Sequence, residues 1–120
     1  MCTTDRDKEF ADRLAAILEQ NLARPEFSID EFAQLMKLGR TVFYRKLRGV
    51  TGYSPNEYLR EVRMKKAAEL LLSEDNLTVA EVSYKVGISD PFYFSKCFKA
   101  QFGVAPSVYQ RGVNSEGDSM

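Results

Sequence analysis

The chain has 120 residues, 44% of them hydrophobic, with 17 basic and 17 acidic side chains, two Cys and no His. That length suits one compact domain, or two small lobes sharing a core through a connecting helix. No apolar run approaches the roughly 20 residues of a membrane span, and the N-terminus has neither a charged n-region nor an apolar h-region, so a soluble, cytoplasmic protein without membrane contact is expected.

Met1 to Asp5 is polar and without period, and residues 1–6 are assigned to a flexible leader. Phe10, Leu14, Ile17 and Leu18 then recur with helical spacing and predict an amphipathic helix from about Asp7 to Leu22. Pro25 ends the connection. Ser28, with Glu31 three residues on, is the expected N-cap of a short helix reaching about Met36. Lys37, Leu38 and Gly39 form a turn, and a third helix is expected from Arg40 to about Arg48, broken by Gly49 and Gly52.

Ser54 and Glu57 have capping-box spacing and Pro55 falls at the first helical position, which opens a long helix through Leu72. Eighteen residues at roughly 1.5 Å each give about 27 Å. Leu59, Val62, Lys66 and Leu70 share one stripe of it. Thr78 and Glu81 repeat the capping-box spacing at the start of a helix to Val86. After a turn at Gly87, Ile88 and Ser89, Asp90 and Pro91 supply an N-cap and first-turn proline for a helix ending before Gly103. Residues 112–120 are small and polar and are expected to be disordered. Cys97 reads as a core residue. Neither Cys sits in a C-x-x-C pair, so no metal site, disulfide or cofactor is expected.

The two halves repeat one another. Phe43, Arg45, Leu47, Arg48, Gly52, Pro55 and Tyr58 answer to Phe94, Lys96, Phe98, Lys99, Gly103, Pro106 and Tyr109 at a constant offset of 51. Ser28, Glu31, Met36 and Leu38 answer to Thr78, Glu81, Val86 and Ile88 at an offset of 50, so the second copy carries one extra residue after its turn. Matches over such a stretch indicate two copies of one helix-turn-helix unit.

The charges are segregated although they sum to zero. From Lys37 to Lys66 nine basic residues stand against two acidic ones, while residues 1–31 and 67–120 are both net acidic. In the second helix of the first copy, Phe43, Leu47 and Val50 lie within one arc, and Arg40, Thr41, Tyr44, Arg45 and Arg48 fill the other side. In the second copy Phe94, Cys97 and Phe98 form the inner arc, and Phe92, Ser95, Lys96 and Lys99 point away. Such outward faces suit a major groove, where Arg pairs bidentately with guanine and Lys meets phosphate. Lys46, Arg48, Lys99 and Ser54 are the candidate phosphate contacts.

The strings SIDEFAQLMKLGRTVFYRKLRGVTGYSPNEYLREVRMKKAAELL and TVAEVSYKVGISDPFYFSKCFKAQFGVAPSVYQ resemble the DNA-binding domain of the AraC/XylS family, over almost all of Asp7 to Tyr109. The resemblance implies an all-α fold of about seven helices, with two helix-turn-helix lobes (7–53 and 74–111) joined by a long helix (54–73). It implies sequence-specific binding to double-stranded promoter DNA and activation or repression of transcription, with RNA polymerase as a further partner. Carried over position by position, the base-facing residues are Arg40, Thr41, Tyr44 and Arg45 in the first lobe, and Asp90, Pro91, Phe92, Ser95 and Lys96 in the second. This chain departs from the family pattern at Lys37, where Gly is usual, at Ser83, which answers to Ala33, and at Phe92, where a small polar residue is more common. Phe92 either offers an apolar contact, for instance to a thymine methyl, or packs on its own lobe. The family's domain commonly follows an effector-binding or receiver domain, so the chain reads as part of a longer protein, with a further resemblance to the output end of hybrid two-component regulators.

Two other classes fit the sequence less well. An enzyme would need a nucleophile with a base, a glycine-rich phosphate loop or a carboxylate cluster, and the sequence offers none of these. A helical protein-interaction module would expose aliphatic anchors at i, i+3, i+4 and i+7, where these helices carry Arg, Lys, Tyr and Ser.

Overall fold

A computed structural model of the chain describes the backbone of residues 5–119 and the side chains of residues 6–112; residues 1–4 of the expected leader lie outside the described residues, as does Met120. Seven helices, and no strand among the described residues, make up the fold: α1 (Asp5–Asn21), α2 (Ile29–Leu35), α3 (Arg40–Thr51), α4 (Pro55–Leu71), α5 (Val79–Lys85), α6 (Pro91–Phe102) and α7 (Pro106–Ser119). The chain divides into two compact units, Met1–Arg60 and Glu61–Met120. The division falls inside α4, which was expected to be a separate connecting segment. Its first turns carry the buried Pro55 and Leu59 of the first unit, and its remainder carries Met64, Ala67, Ala68 and Leu71 of the second.

The first unit is built on the apolar face of α1, where Phe10, Leu14, Leu18 and Leu22 are buried with Phe27, Phe32, Met36, Phe43 and Leu47. Phe32 of α2 meets Phe27 at 5.5 Å and Phe43 of α3 at 5.0 Å between ring centres, both tilted, which fixes α2 against α3. Ser28 caps α2 as expected, its hydroxyl accepting the Glu31 N–H at 3.1 Å. The Glu31 carboxylate is not part of a capping box, however. It takes both Nη atoms of Arg24, at 2.6 and 3.2 Å, so the chain leaving α1 is tied to the first turn of α2 by a bidentate ion pair.

In the turn after α2 Lys37, which stands where Gly is usual, has a left-handed φ of 60°. The answering Gly87 has φ 81° at no steric cost. Helix α3 runs three residues beyond Arg48, because Gly49 has helical neighbours on both sides and the Thr51 hydroxyl bonds back to Leu47 O at 2.8 Å. Gly52, at φ 81°, is its left-handed C-cap, and Gly103, at φ 83°, does the same for α6.

In the second unit Met64, Ala67, Ala68 and Leu71 of α4 pack with Val82, Val86, Ile88, Phe94 and Phe98. Of the α4 stripe Leu59, Val62, Lys66 and Leu70, Leu59 is buried and Val62 and Leu70 are half-buried, but Lys66 is exposed, and the completely covered Met64 lies off the stripe. Phe98 stacks at 4.5 Å on Phe102 and meets Tyr109 edge-on at 5.3 Å, and Gln110 Nε2 donates to Leu77 O (2.9 Å) and Leu71 O (3.3 Å), which seats α7. Cys97, expected in the core, is only half-buried at its margin. Helix α7 continues to Ser119 through residues expected to form a disordered tail, although the side chains from 113 onward lie outside the described residues.

Candidate nucleic-acid interface

The buried residues of α3 decide which side chains it shows to solvent. Phe43 and Leu47 are fully covered, and Thr41, Arg45 and Arg48 lie across the cylinder from them, while Tyr44 and the first-turn Arg40 flank the buried arc. These five, with Ser54 and Pro55 from the start of α4, line one open cleft of about 580 Å³. Three guanidiniums line it, with the Asp30 carboxylate beside Arg40, so the cleft is net cationic and suits anions.

Ser54 is held in a reciprocal cap. Its N–H donates to Glu57 Oε1 at 2.9 Å, and its hydroxyl oxygen accepts the Glu57 N–H at 3.3 Å. The Ser54 backbone N–H, then its hydroxyl contact, then the charges of Arg48 and Arg60, hold the Glu57 carboxyl below the usual carboxylate range.

Arg40 is the most engaged of the cations in the cleft: its Nε lies 3.7 Å from Asp30 Oδ1, and its guanidinium stands 5.7 Å over the Tyr44 ring centre. Asp30 was missed in the sequence because it is ten residues away on another helix, a separation that no helical spacing connects. Lys46, grouped by charge with the phosphate contacts, is not brought to this face. Its Nζ sits 5.1 Å over the Phe10 ring of α1, because Lys46 is more than a quarter turn around α3 from the nearest cleft residue.

In the second unit α6 begins as expected at Asp90, whose Oδ1 accepts the Phe92 N–H at 3.0 Å, with Pro91 at the first helical position. Asp90, carried over as base-facing, thus has its carboxylate engaged in capping the helix. Phe94 and Phe98 are buried, which turns Phe92, Lys96 and Lys99 outward, with Ser95 half-buried. Phe92 is 88% exposed, which decides between its two alternatives: it does not pack on its own lobe. Tyr93 and Tyr84, about half exposed, also belong to this lobe's apolar surface and were not singled out in the sequence. At the positions answering to Arg40, Thr41, Tyr44, Arg45 and Arg48 the second lobe shows Pro91, Phe92, Ser95, Lys96 and Lys99. Two ammonium groups replace three planar forks, and ammonium groups act on phosphate as point charges without bidentate geometry.

A model of the helix-turn-helix domain family matches residues 32–112. The chain is similar to histidine kinase P4 of Formosa agariphila, at 36% identity over 110 residues, covering 92% of this chain and 8% of that protein. It is also similar to the HTH-type transcriptional activator RhaR of Salmonella schwarzengrund, at 35% identity over 107 residues, covering 89% of this chain and 37% of the activator. The chain therefore spans well under half the length of these curated relatives. Among solved structures, the DNA-binding domain of the global transcriptional factor AdpA, in complex with a target DNA, superposes with a TM-score of 0.81 at 26% identity, covering 89% of this chain and 94% of that one.

Proposed function

The chain belongs to the AraC/XylS family of helix-turn-helix proteins, and from that premise we propose that it binds double-stranded promoter DNA sequence-specifically and regulates transcription. The observation that carries this reading is the cleft itself, where α3 presents Arg40, Thr41, Tyr44, Arg45 and Arg48 beside the Ser54 hydroxyl. A helix of this width enters a major groove, where the Arg45 fork matches guanine O6 and N7. Arg48 and Ser54, toward the rim, meet phosphate oxygens. In the second lobe α6 enters its own stretch of groove, Lys96 and Lys99 meeting phosphate and Phe92 offering an apolar surface to a thymine methyl.

RhaR is described as a transcriptional activator and AdpA was solved on DNA, and both support the reading. The likeness to a histidine kinase supports a place at the output end of a longer two-component regulator, attached to a sensor or receiver domain. Contact with RNA polymerase and action in the cytoplasm follow from regulating a promoter. Among the described residues no helix is long and apolar enough to cross a membrane.

Selection from random duplex DNA tests the proposal. The expected result is a recovered motif with two half-sites centred about 10 bp apart, one per lobe. Recovery of a single motif shorter than about 8 bp would mean that one lobe does not engage DNA, and recovery of no motif would overturn the reading.

A further inference from the structure

Arg40 is approached from two directions. Asp30, in the first turn of α2, places Oδ1 3.7 Å from the Nε of Arg40. Tyr44, one turn along α3, lies under the guanidinium at 5.7 Å. The first contact takes the Nε edge of the group and the second covers one of its faces, so the two terminal nitrogens remain as the fork. Arg40 and Tyr44 both line the cleft.

The side chains of Arg40 and Asp30 are 70% and 66% exposed, and an ion pair in that setting contributes little to stability. A carboxylate beside a phosphate-binding face also weakens attraction to DNA of every sequence. What it can supply is order in Arg40. A long side chain fixed before binding loses less freedom on binding, and the Asp30–Arg40 attraction grows once docking excludes water.

Resting on the DNA-binding reading above, we propose that Asp30 and Tyr44 are positioning residues that fix Arg40 for end-on recognition of a guanine, its two terminal nitrogens donating to O6 and N7. Tyr44 is then a platform for Arg40 and not itself a reader of bases. The device is confined to the first lobe, because Ala80, Pro91 and Ser95 occupy the answering positions in the second. It adds a carboxylate, which repels the backbone, in order to sharpen the choice of base.

The test uses the full 120-residue chain on a selected duplex, on each single-base-pair variant of it, and on a random duplex, with thermal unfolding recorded for every protein. Arg40→Ala is expected to abolish discrimination at one guanine. Asp30→Asn should reduce discrimination at that same guanine by about 3- to 10-fold, part of what a bidentate contact supplies, while the random duplex binds more tightly because a negative charge has gone. Asp30→Glu and Tyr44→Phe, which keep the carboxylate and the ring, should preserve discrimination. Simple damage to the fold would weaken binding to all duplexes. Asp30→Asn leaving the preference at the Arg40 position intact, or weakening every duplex alike, would overturn the proposal. A wild-type preference that ignores Arg40→Ala would overturn it while leaving the DNA-binding reading standing, and a wild type without preference would remove both.

Discussion

Ser83 and Ile88 are joined twice: the Ser83 hydroxyl donates to Ile88 O at 2.7 Å, and the Ile88 N–H donates to Ser83 O at 3.0 Å. Both residues are buried, so the pair closes the α5–α6 turn out of water. The first lobe has only the backbone half, Leu38 N–H to Ala33 O at 3.1 Å, because Ala33 has no hydroxyl. Ser83→Ala leaves the buried Ile88 carbonyl without this donor and should cost about 1–3 kcal/mol. Urea unfolding checks it; an unchanged midpoint would show that the hydroxyl bond contributes nothing net.

Lys37 sits at φ 60°, a conformation that a Cβ makes unfavourable. The answering turn uses Gly87 at φ 81°. Lys37→Gly should therefore raise stability by roughly 0.5–1 kcal/mol, the relief of left-handed strain being partly offset by the greater freedom of glycine in the unfolded chain. A thermal melt reads the sign directly, and a lower melting temperature would show that the lysine is not strained there.

Acid should loosen the capping boxes. The backbone N–H groups of Ser54 and Thr78, with their hydroxyls, hold the carboxyls of Glu57 and Glu81 below the ordinary value of 4.5. A carboxyl whose pKa is depressed by folding contributes stability that is present above its unfolded value and lost as pH falls through the folded one. Stability should therefore decline as pH drops below about 4.5, and the double variant Glu57→Gln, Glu81→Gln should flatten that decline. Superimposable acid limbs for variant and wild type would contradict the assignment.

The two lobes should differ in what they read. Arg45→Ala is expected to cost about 1–3 kcal/mol and to relax preference at one base pair, whereas Lys96→Ala should weaken all duplexes about equally and lower the salt slope by about one. Binding to singly substituted sites separates these outcomes. The reverse pattern would mean that the division of labour runs the other way.

Much of this was legible because the repeat marks backbone events. Gly52 and Gly103 are both left-handed caps, Pro55 and Pro106 both open helices, and Phe43 and Phe94 are both fully buried. Of the candidate contacts, Arg40, Thr41, Tyr44, Arg45 and Arg48 of α3 share one cleft, since angular position on a helix follows from spacing, and Ser54 joins them from the start of α4. Lys46 was misplaced where charge was weighed above angle, because its ammonium lies over Phe10. The extent of α3 beyond Gly49 was missed because the Thr51 hydroxyl bond to Leu47 O and the Gly52 cap outweigh one glycine's propensity. The Asp30–Arg40 pair and the diversion of Glu31 to Arg24 join different elements, so no local spacing announces them.

The proposed DNA contacts are cationic although the net charge of the chain is zero, and the salt dependence of duplex binding probes them without any substitution. Arg48 from one lobe with Lys96 and Lys99 from the other supply the charged phosphate contacts, and the Ser54 hydroxyl adds a neutral one. With about three phosphates neutralised, the slope of log K against log salt should lie near −3 between roughly 50 and 200 mM. A flat response over that range would contradict the claim that these residues meet the DNA backbone.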